Sequence, residues 1–284
     1  MAANYEDIRY EVKDGLAVIT LDRPAKLNAW TPAMERSVRR ALGDAEGDTG
    51  VRAIVVTGAG RGFCAGADMG VLQGLAGGGA EVRARAAGGA GAAPRPAAGG
   101  LGPDVSAHYG GRFGYMMAVR KPIIAAINGP CAGIGLVFAC FCDLRFASAQ
   151  AVLTTSFAKR GLIAEHGISW LLPRLIGPAR ALDLLFSART LTGAEAEQLG
   201  LVNDSFPAER FADDVSAYAR QLVDSVSPRS LAVIKAQVWK TLFQDLDQAL
   251  ATADHEMTLS FESEDFREGV AHFMEKRAPR FRGQ

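Results

Sequence analysis

Two continuous runs of apolar and β-branched residues, each ending in a glycine-rich loop, constrain the fold of this chain more than any other feature. They are VRAIVVTG at residues 51–58 and KPIIAAING at residues 121–129. Neither run alternates polar with apolar residues, and such strands are typical of a parallel sheet covered on both faces. Strand and helix patterns alternate up to about residue 168, and helical patterns alone follow. The sequence therefore predicts an α/β core with a helical C-terminal region.

Turn and cap signals define the elements around these runs. Residues 8–13 and 16–21 have the pattern of two strands joined by Asp14-Gly15, a strong hairpin signal. Thr31 followed by Pro32 predicts the start of a helix. We divide the chain into a core at residues 1–205 and a helical region at residues 206–284. The helical region has more apolar faces than one small core needs, so we expect it to pack against neighbouring subunits.

A low-complexity segment interrupts the core. Residues 74–103 contain ten glycines, ten alanines and three prolines. Such a composition buries too little apolar surface to offset the entropy lost on ordering. The sequence predicts a flexible surface insertion here, and it leaves open whether this insertion acts as a lid.

The composition narrows the classes of function. The 284 residues carry 31 basic and 31 acidic side chains, a balance that argues against a nucleic-acid binder. No signal peptide is visible, and no stretch approaches the roughly 20 apolar residues of a membrane span. Four cysteines without a CxxC pair favour free buried thiols over a metal site or disulfides. We expect a cytoplasmic protein that does not bind a membrane and holds no metal.

Both apolar runs continue into small-residue loops, TGAGRGFCAGAD at residues 57–68 and NGPCAGIG at residues 128–135. The first lacks the GxGxxG spacing of a dinucleotide loop, and no Walker motif is present. Small residues let a backbone approach a ligand, and free N–H groups at a helix start favour an anion. Either loop alone is more simply a tight turn. The occurrence of two such units favours a paired oxyanion hole.

These loops, together with RPAKLNAW and CDLRFAS in the same order and spacing, resemble the crotonase (enoyl-CoA hydratase/isomerase) superfamily. The resemblance extends from about residue 5 to residue 275. It implies a spiral of ββα turns, a C-terminal helical region that forms a trimer or a hexamer, and an acyl-CoA thioester as substrate. It also implies that the backbone N–H groups of Ala67 and Ile134 stabilise a thioester enolate, although Ile134 stands where the family usually has glycine.

The acid/base residues depart from the pattern of standard hydratases. By motif position, Val137 and Phe157 replace the two glutamates that such enzymes carry, and neither can transfer a proton. Glu165 precedes a helix start at a position that resembles the carboxylate of acyl-CoA isomerases and hydrolases. Burial beside Ile163, Ile168 and Trp170 is expected to raise its pKa toward the working pH. A carboxylate that merely favours a helix start is the alternative.

The remaining site residues follow from the resemblance. Lys26 is expected near the phosphates of coenzyme A, although a solvated lysine explains it equally well. Substrate contacts are also expected at Ala29, Ala65, Asp68, Gly133 and His166. No cofactor is implied, because coenzyme A is part of the substrate. The sequence thus predicts an acyl-CoA enzyme with Glu165 as acid/base, for which isomerisation and hydration remain open. A non-catalytic acyl-CoA binder and an acyl-CoA hydrolase are the alternatives.

Overall fold

The computed structural model describes residues 5–78 and 109–284, and two sheets form the centre of this part of the chain. The larger sheet has the strand order β1-β2-β3-β4-β6-β9, antiparallel at its first pair and parallel at every other. A smaller sheet has the order β5-β7-β8. The strands are β1 (Ile8–Lys13), β2 (Leu16–Leu21), β3 (Ala53–Gly58), β4 (Ile123–Ile127), β5 (Cys131–Ala132), β6 (Leu144–Ser148), β7 (Val152–Thr154), β8 (Leu191–Thr192) and β9 (Asp204–Phe206).

Helices cover the large sheet and continue beyond it. Residues of β3 and β4 are almost all buried, as the two continuous apolar runs predict. The helices are α1 (Pro32–Gly47), α2 (Met69–Gly77), α3 (Ile134–Phe141), α4 (Ile168–Ile176), α5 (Pro178–Ser187), α6 (Gly193–Gln198), α7 (Phe211–Ser225), α8 (Pro228–Thr241), α9 (Leu246–Glu262) and α10 (Glu264–Glu275).

The N-terminal elements follow their sequence signals closely. The hairpin β1–β2 forms as predicted, with Asp14 and Gly15 at φ angles of 49° and 80° that suit a primed turn. Thr31 caps α1, because its hydroxyl oxygen accepts a hydrogen bond of 3.0 Å from the Met34 N–H. The hairpin and the first helix of the core are therefore confirmed.

Two isolated bridges extend the small sheet toward the N-terminus. Trp30 pairs with Ala67, and Cys64 pairs with Cys131, both in parallel. Successive turns of the chain thus add one strand to the large sheet and one short segment to the small sheet. This arrangement is the ββα spiral that the resemblance implies.

One predicted strand is shorter in the structure than the sequence suggests. The sequence predicts a strand over residues 151–157, whereas β7 stops at Thr154. Ser156 has a φ angle of 60°, and the Thr155 hydroxyl donates to the Leu184 carbonyl oxygen at 2.8 Å. The chain therefore turns away from the sheet after Thr154. The prediction for residues 74–103 lies mostly outside the described residues, since α2 ends at Gly77 and residues 79–108 are not described.

The C-terminal helices carry apolar side chains that the other described residues leave exposed. Leu246, Phe273 and Met274 are more than 70% exposed, and further apolar residues of α8, α9 and α10 are exposed beside them. By contrast, the four cysteines are all buried and free, as predicted. Within residues 5–78 and 109–284, no helix has the length and apolarity to cross a membrane, and no three His, Cys, Asp or Glu residues form a metal-binding group.

Candidate active site

The two glycine-rich loops lie side by side at one edge of the large sheet, because β3 and β4 are adjacent and parallel. The Asn128 side chain joins them. Its oxygen accepts a hydrogen bond of 3.1 Å from the Gly58 N–H, and its amide donates to the carbonyl oxygens of Gly58 and Gly60 at 2.9 and 3.0 Å. The Asn128 side chain therefore links the carboxyl ends of the two strands.

Some glycines in these loops are required by packing rather than by backbone conformation. A Cβ at Gly129 would lie 2.1 Å from the Arg61 carbonyl oxygen, and a Cβ at Gly135 would lie 2.5 Å from the Cys64 carbonyl oxygen. The backbone of one loop thus contacts the backbone of the other. The two loops are tight turns, and they are also held in one fixed arrangement.

The Ala67 N–H lies on the side of its segment that faces away from Trp30. Around the Trp30–Ala67 bridge, the Trp30 N–H donates to the Gly66 carbonyl at 2.8 Å and the Asp68 N–H donates to the Trp30 carbonyl at 3.0 Å. Because Gly66 and Asp68 make the hydrogen bonds to Trp30, the Ala67 N–H points to the opposite side of the segment. No described residue accepts a hydrogen bond from it.

The second expected donor is Ile134, the first residue of α3. Gly133 precedes it at a φ angle of 51°, and its carbonyl oxygen accepts the first helical hydrogen bond, 3.0 Å from the Val137 N–H. The Ile134 N–H is thus one of the free donors of a helix N-terminus, and no acceptor for it occurs among the described residues. The Ile134 side chain is buried in the core, at 6% exposure. Gly133 lies against Gly66, so the structure brings both predicted donors together.

The turn at residues 23–31 packs beside the first loop. Asp68 caps α2 and forms an ion pair of 2.9 Å with Arg23, whose hydrogen bond lowers the pKa of the Asp68 carboxyl. Lys26 is exposed on this turn. The Ala29 carbonyl accepts a hydrogen bond of 2.7 Å from the Arg23 guanidinium, and Ala65 donates to the Leu27 carbonyl at 3.0 Å. Asp68, Ala29 and Ala65 thus hold the turn against the loop, whatever else they contact.

Glu165 lies in the loop before α4. Its side chain is 30% exposed, and burial raises its pKa above the usual range. The predicted direction of this shift is confirmed. Ile168 is fully buried, but Ile163 is 78% exposed, so the expected contribution of Ile163 to the burial of Glu165 is wrong. Ile163 precedes a turn in which the chain is open to solvent.

His166 lies next to Glu165 in a left-handed backbone conformation, with a φ angle of 55°. Its Nε2 lies 3.0 Å from Nη1 of Arg112. A guanidinium can only donate, so Nε2 accepts and the ring proton lies on Nδ1. Burial, with the charge of Arg112, lowers the His166 pKa to about 4. The ring is therefore neutral near pH 7.

The structure adds two residues that sequence reasoning missed. Arg112 donates from Nε to Oε2 of Glu35 at 2.8 Å, and Trp30 donates from Nε1 to the same oxygen at 3.1 Å. Glu35 is 4% exposed, on the buried face of α1. A single arginine after two glycines and a single glutamate in an amphipathic helix carry no motif, so no signal in the sequence identifies them.

The two positions where the sequence lacks the usual hydratase glutamates are apolar and buried. Val137 is 0% exposed within α3, and Phe157 is 5% exposed after β7. Both belong to the main hydrophobic core. Neither position therefore offers a carboxylate for proton transfer.

Known proteins are similar to this chain over nearly its whole length. The chain matches the family described as "Enoyl-CoA hydratase/isomerase" over residues 11–84 and 107–284. It is 34% identical to a "Probable enoyl-CoA hydratase" of Rhodobacter capsulatus, over 99% of this chain and 100% of that protein. It is 33% identical to the 1,2-epoxyphenylacetyl-CoA isomerase of Escherichia coli K12, over 98% and 99%. The solved structure of an enoyl-CoA hydratase subunit I of Geobacillus kaustophilus is 31% identical, with a TM-score of 0.83 over 99% and 100% of the two chains.

Proposed function

The chain belongs to the enoyl-CoA hydratase/isomerase family, and we propose that it relocates a proton along an acyl-CoA thioester, with Glu165 as acid/base. The observation that carries this proposal is the replacement of the usual glutamate pair by buried Val137 and Phe157, together with a partly buried Glu165 whose pKa is raised. One carboxylate that can take a proton and return it is sufficient for isomerisation.

The proposed oxyanion hole consists of the N–H groups of Ala67 and Ile134. Removal of a proton from the α or γ carbon of an enoyl thioester places negative charge on the carbonyl oxygen. Two fixed donors stabilise that charge without reorganising, and one such donor contributes about 3–4 kcal/mol in hydrolytic enzymes. The interlocked glycine loops support this role, because they hold both donors in place before the substrate binds.

In the proposed cycle, the Glu165 carboxylate takes a proton from one carbon of the acyl chain and becomes a carboxylic acid. The electron pair of the broken C–H bond delocalises into the thioester as an enolate. Glu165 then returns the proton to a different carbon, and the double bond ends in a new position. A pKa raised toward neutrality suits both halves of this exchange.

Hydration is the second candidate. Water addition usually needs a further group to orient the water, and the positions that supply it in standard hydratases are apolar here. The printed names of the relatives include both activities, a hydratase and an epoxide isomerase. The apolar residues at these positions therefore favour isomerisation. The names of the relatives make hydration the alternative.

The proposed chemistry uses backbone N–H groups and one carboxyl group, so it requires no cofactor beyond the coenzyme A of the substrate. Lys26 is proposed to contact the coenzyme A phosphates, since it is exposed on the turn beside the first loop. Contacts with the thioester are proposed for Gly133 and His166, which adjoin the two parts of the site.

We also propose that the protein is a homotrimer or a hexamer formed through the C-terminal helices. Leu246, Phe273 and Met274 leave a large apolar surface exposed, and soluble monomers rarely leave such a surface open. Light scattering after gel filtration measures this directly. A monomer at micromolar concentration contradicts it.

A panel of acyl-CoA thioesters tests the function. Enoyl substrates of different chain length and double-bond position are followed by ultraviolet absorbance and by mass. Isomerisation changes the absorbance without a change in mass, hydration adds 18 mass units, and hydrolysis releases free coenzyme A thiol. Binding without any of these changes contradicts catalysis and favours an acyl-CoA binder.

A complex with an acyl-CoA tests the geometry. We expect the thioester oxygen within about 3.5 Å of both the Ala67 and the Ile134 nitrogen, and a Glu165 oxygen within similar reach of the α or γ carbon. A thioester oxygen bonded to neither nitrogen contradicts the proposed hole.

A further inference from the structure

We propose that Arg112, anchored by the buried Glu35 and hydrogen-bonded to His166, is a positioning residue that holds a positive charge near Glu165. The inference rests on the proposed role of Glu165 as acid/base. Arg112 does not itself belong to either glycine loop or to the loop of Glu165, yet it contacts the residue next to Glu165.

The first observation is the geometry of Arg112. Its Nε donates to Glu35 Oε2 at 2.8 Å, while its Nη1 donates to His166 Nε2 at 3.0 Å. Two bonds from different nitrogens of one planar guanidinium fix its orientation. Glu35 is 77 residues away in sequence and His166 is 54 residues away, so Arg112 joins three separate segments.

The second observation is the burial of Glu35. Its Oε2 accepts from both Arg112 and Trp30, and its Oε1 has no hydrogen-bond partner among the described residues. A buried carboxylate with so few partners depends on its ion pair. Arg112 is therefore held in place by the Glu35 carboxylate, which has few other hydrogen-bond partners among the described residues.

The third observation is the position of Glu165 relative to this group. His166 Nε2 lies 3.9 Å from Glu165 Oε2, and the charge of Arg112 lowers the Glu165 pKa against the raising effect of burial. Among the charged and titratable groups of the described residues, Arg112 and His166 face Glu165, and Glu35 lies behind Arg112. Arg112 thus opposes, through its positive charge, the rise that burial causes in the Glu165 pKa.

Glu35 is also connected, through Trp30, to the segment of Ala67. Trp30, which donates to Glu35 Oε2, binds the segment of Ala67 through its backbone N–H and carbonyl. Phe113 packs edge-on against both Trp30 and His166, with ring centroids 5.6 and 6.4 Å away. Glu35 and Arg112 therefore connect the segment of Ala67 with the loop of Glu165.

The test compares the pH dependence of kcat in four proteins: the wild type, Arg112→Lys, Arg112→Met combined with Glu35→Gln, and Arg40→Met. The double variant removes both charges, so no unpaired buried carboxylate remains to unfold the protein. Arg40 is an exposed arginine of the same α1 helix, paired with Asp44, and serves as the matched control.

We expect the acid limb of the kcat profile to move upward by about one pH unit in the double variant, because loss of a nearby positive charge disfavours the Glu165 carboxylate. Arg112→Lys keeps the charge and should leave the limb within about 0.3 pH unit of the wild type, with a lower kcat. A purely structural role lowers the rate equally at every pH. A limb that does not move in the double variant overturns the inference.

A second measurement does not depend on activity. The titration of His166, followed by NMR of histidine-labelled protein, should have a midpoint near pH 4 in the wild type and a higher midpoint in the double variant. An unchanged midpoint overturns the inference even if no substrate is found. If Glu165→Gln keeps its turnover, the proposed role of Glu165 and the inference that rests on it both fail, and the NMR result then reports only on the contact between Arg112 and His166.

Discussion

The two halves of the candidate site are built in different ways. The half with Ala67 and Ile134 is made of backbone, and its loops contact each other so closely that a Cβ at Gly129 or Gly135 would overlap backbone atoms. The half with Glu165 is made of side chains on a partly exposed loop, held by the Arg112 guanidinium. The first half is rigid because its atoms have no room to move.

The difference has a chemical counterpart. An oxyanion hole needs donors that do not reorganise when charge develops, and interlocked backbone supplies them. An acid/base needs a pKa that can be adjusted, and side-chain neighbours adjust it through burial and charge. We therefore expect substitutions in the first half to affect folding and substitutions in the second half to affect turnover or pH dependence.

The largest effect is expected from Gly135→Ala. The new Cβ would lie 2.5 Å from the Cys64 carbonyl oxygen and 2.9 Å from its sulfur, so one loop must shift. We expect the free energy of unfolding to fall by about 3 kcal/mol or more, measured by urea denaturation. Gly43→Ala in α1 is the control. Nothing lies within 4 Å of its Cβ position, and a gain of about 0.5–1 kcal/mol is expected. A Gly135→Ala protein as stable as the wild type would show that the loops are not interlocked.

The next effect is expected from Glu165→Gln. The amide keeps the size and polarity of the side chain but cannot exchange a proton, so kcat should fall about 10²–10⁴-fold. Acyl-CoA affinity, measured by calorimetry, and stability should change little. Asp183→Asn, which removes an exposed carboxylate from α5, should leave the rate unchanged. If Glu165→Gln keeps more than half of the wild-type kcat, another residue moves the proton.

A smaller effect concerns stability at acid pH. The His166 pKa falls from its ordinary 6.5 to about 4 in the folded protein. Below about pH 6.5 the unfolded chain binds a proton at His166, whereas the folded protein does so only near pH 4. The stability of the folded protein is therefore full above about pH 6.5 and falls toward pH 4. His166→Asn should remove about 2 kcal/mol of the loss between pH 7 and pH 5, and asparagine tolerates the left-handed backbone. Equal losses in both proteins would show that folding does not lower the His166 pKa.

The smallest effect is expected from Lys26→Ala. An exposed lysine that contacts a phosphate contributes little, so KM for a coenzyme A thioester should rise about two- to fivefold at low salt. The effect should shrink at high ionic strength. The matching thioester of N-acetylcysteamine, which lacks the phosphates, should show no change. A change for both substrates, or for neither, contradicts a phosphate contact.

Much of the backbone half could be predicted from the sequence. The hairpin, the Thr31 cap and the two loops all depend on contacts within a few residues, and their signals are local. The small residues of these loops were interpreted as room for a ligand to approach the backbone, whereas at Gly135 the structure shows that the Cys64 backbone takes that space. The strand expected at residues 151–157 was too long because the Thr155 contact with Leu184 is not local.

The side-chain half could be predicted only in part. Glu165 was identified through a family resemblance and the raised direction of its pKa was correct, but Ile163 does not bury it. His166 was expected to contact substrate, and the structure gives it a partner in Arg112 that no spacing suggested.

The sequence by itself determined the N-terminal hairpin, the Thr31 cap and the position of both loops, because turns, caps and apolar runs are read along the chain. The family resemblance added the loss of the usual glutamates. Only the tertiary structure decided that Glu35, Arg112 and His166 meet. Charges find their partners through space, and residues 54 and 77 positions apart leave no periodic trace of that pairing in the sequence.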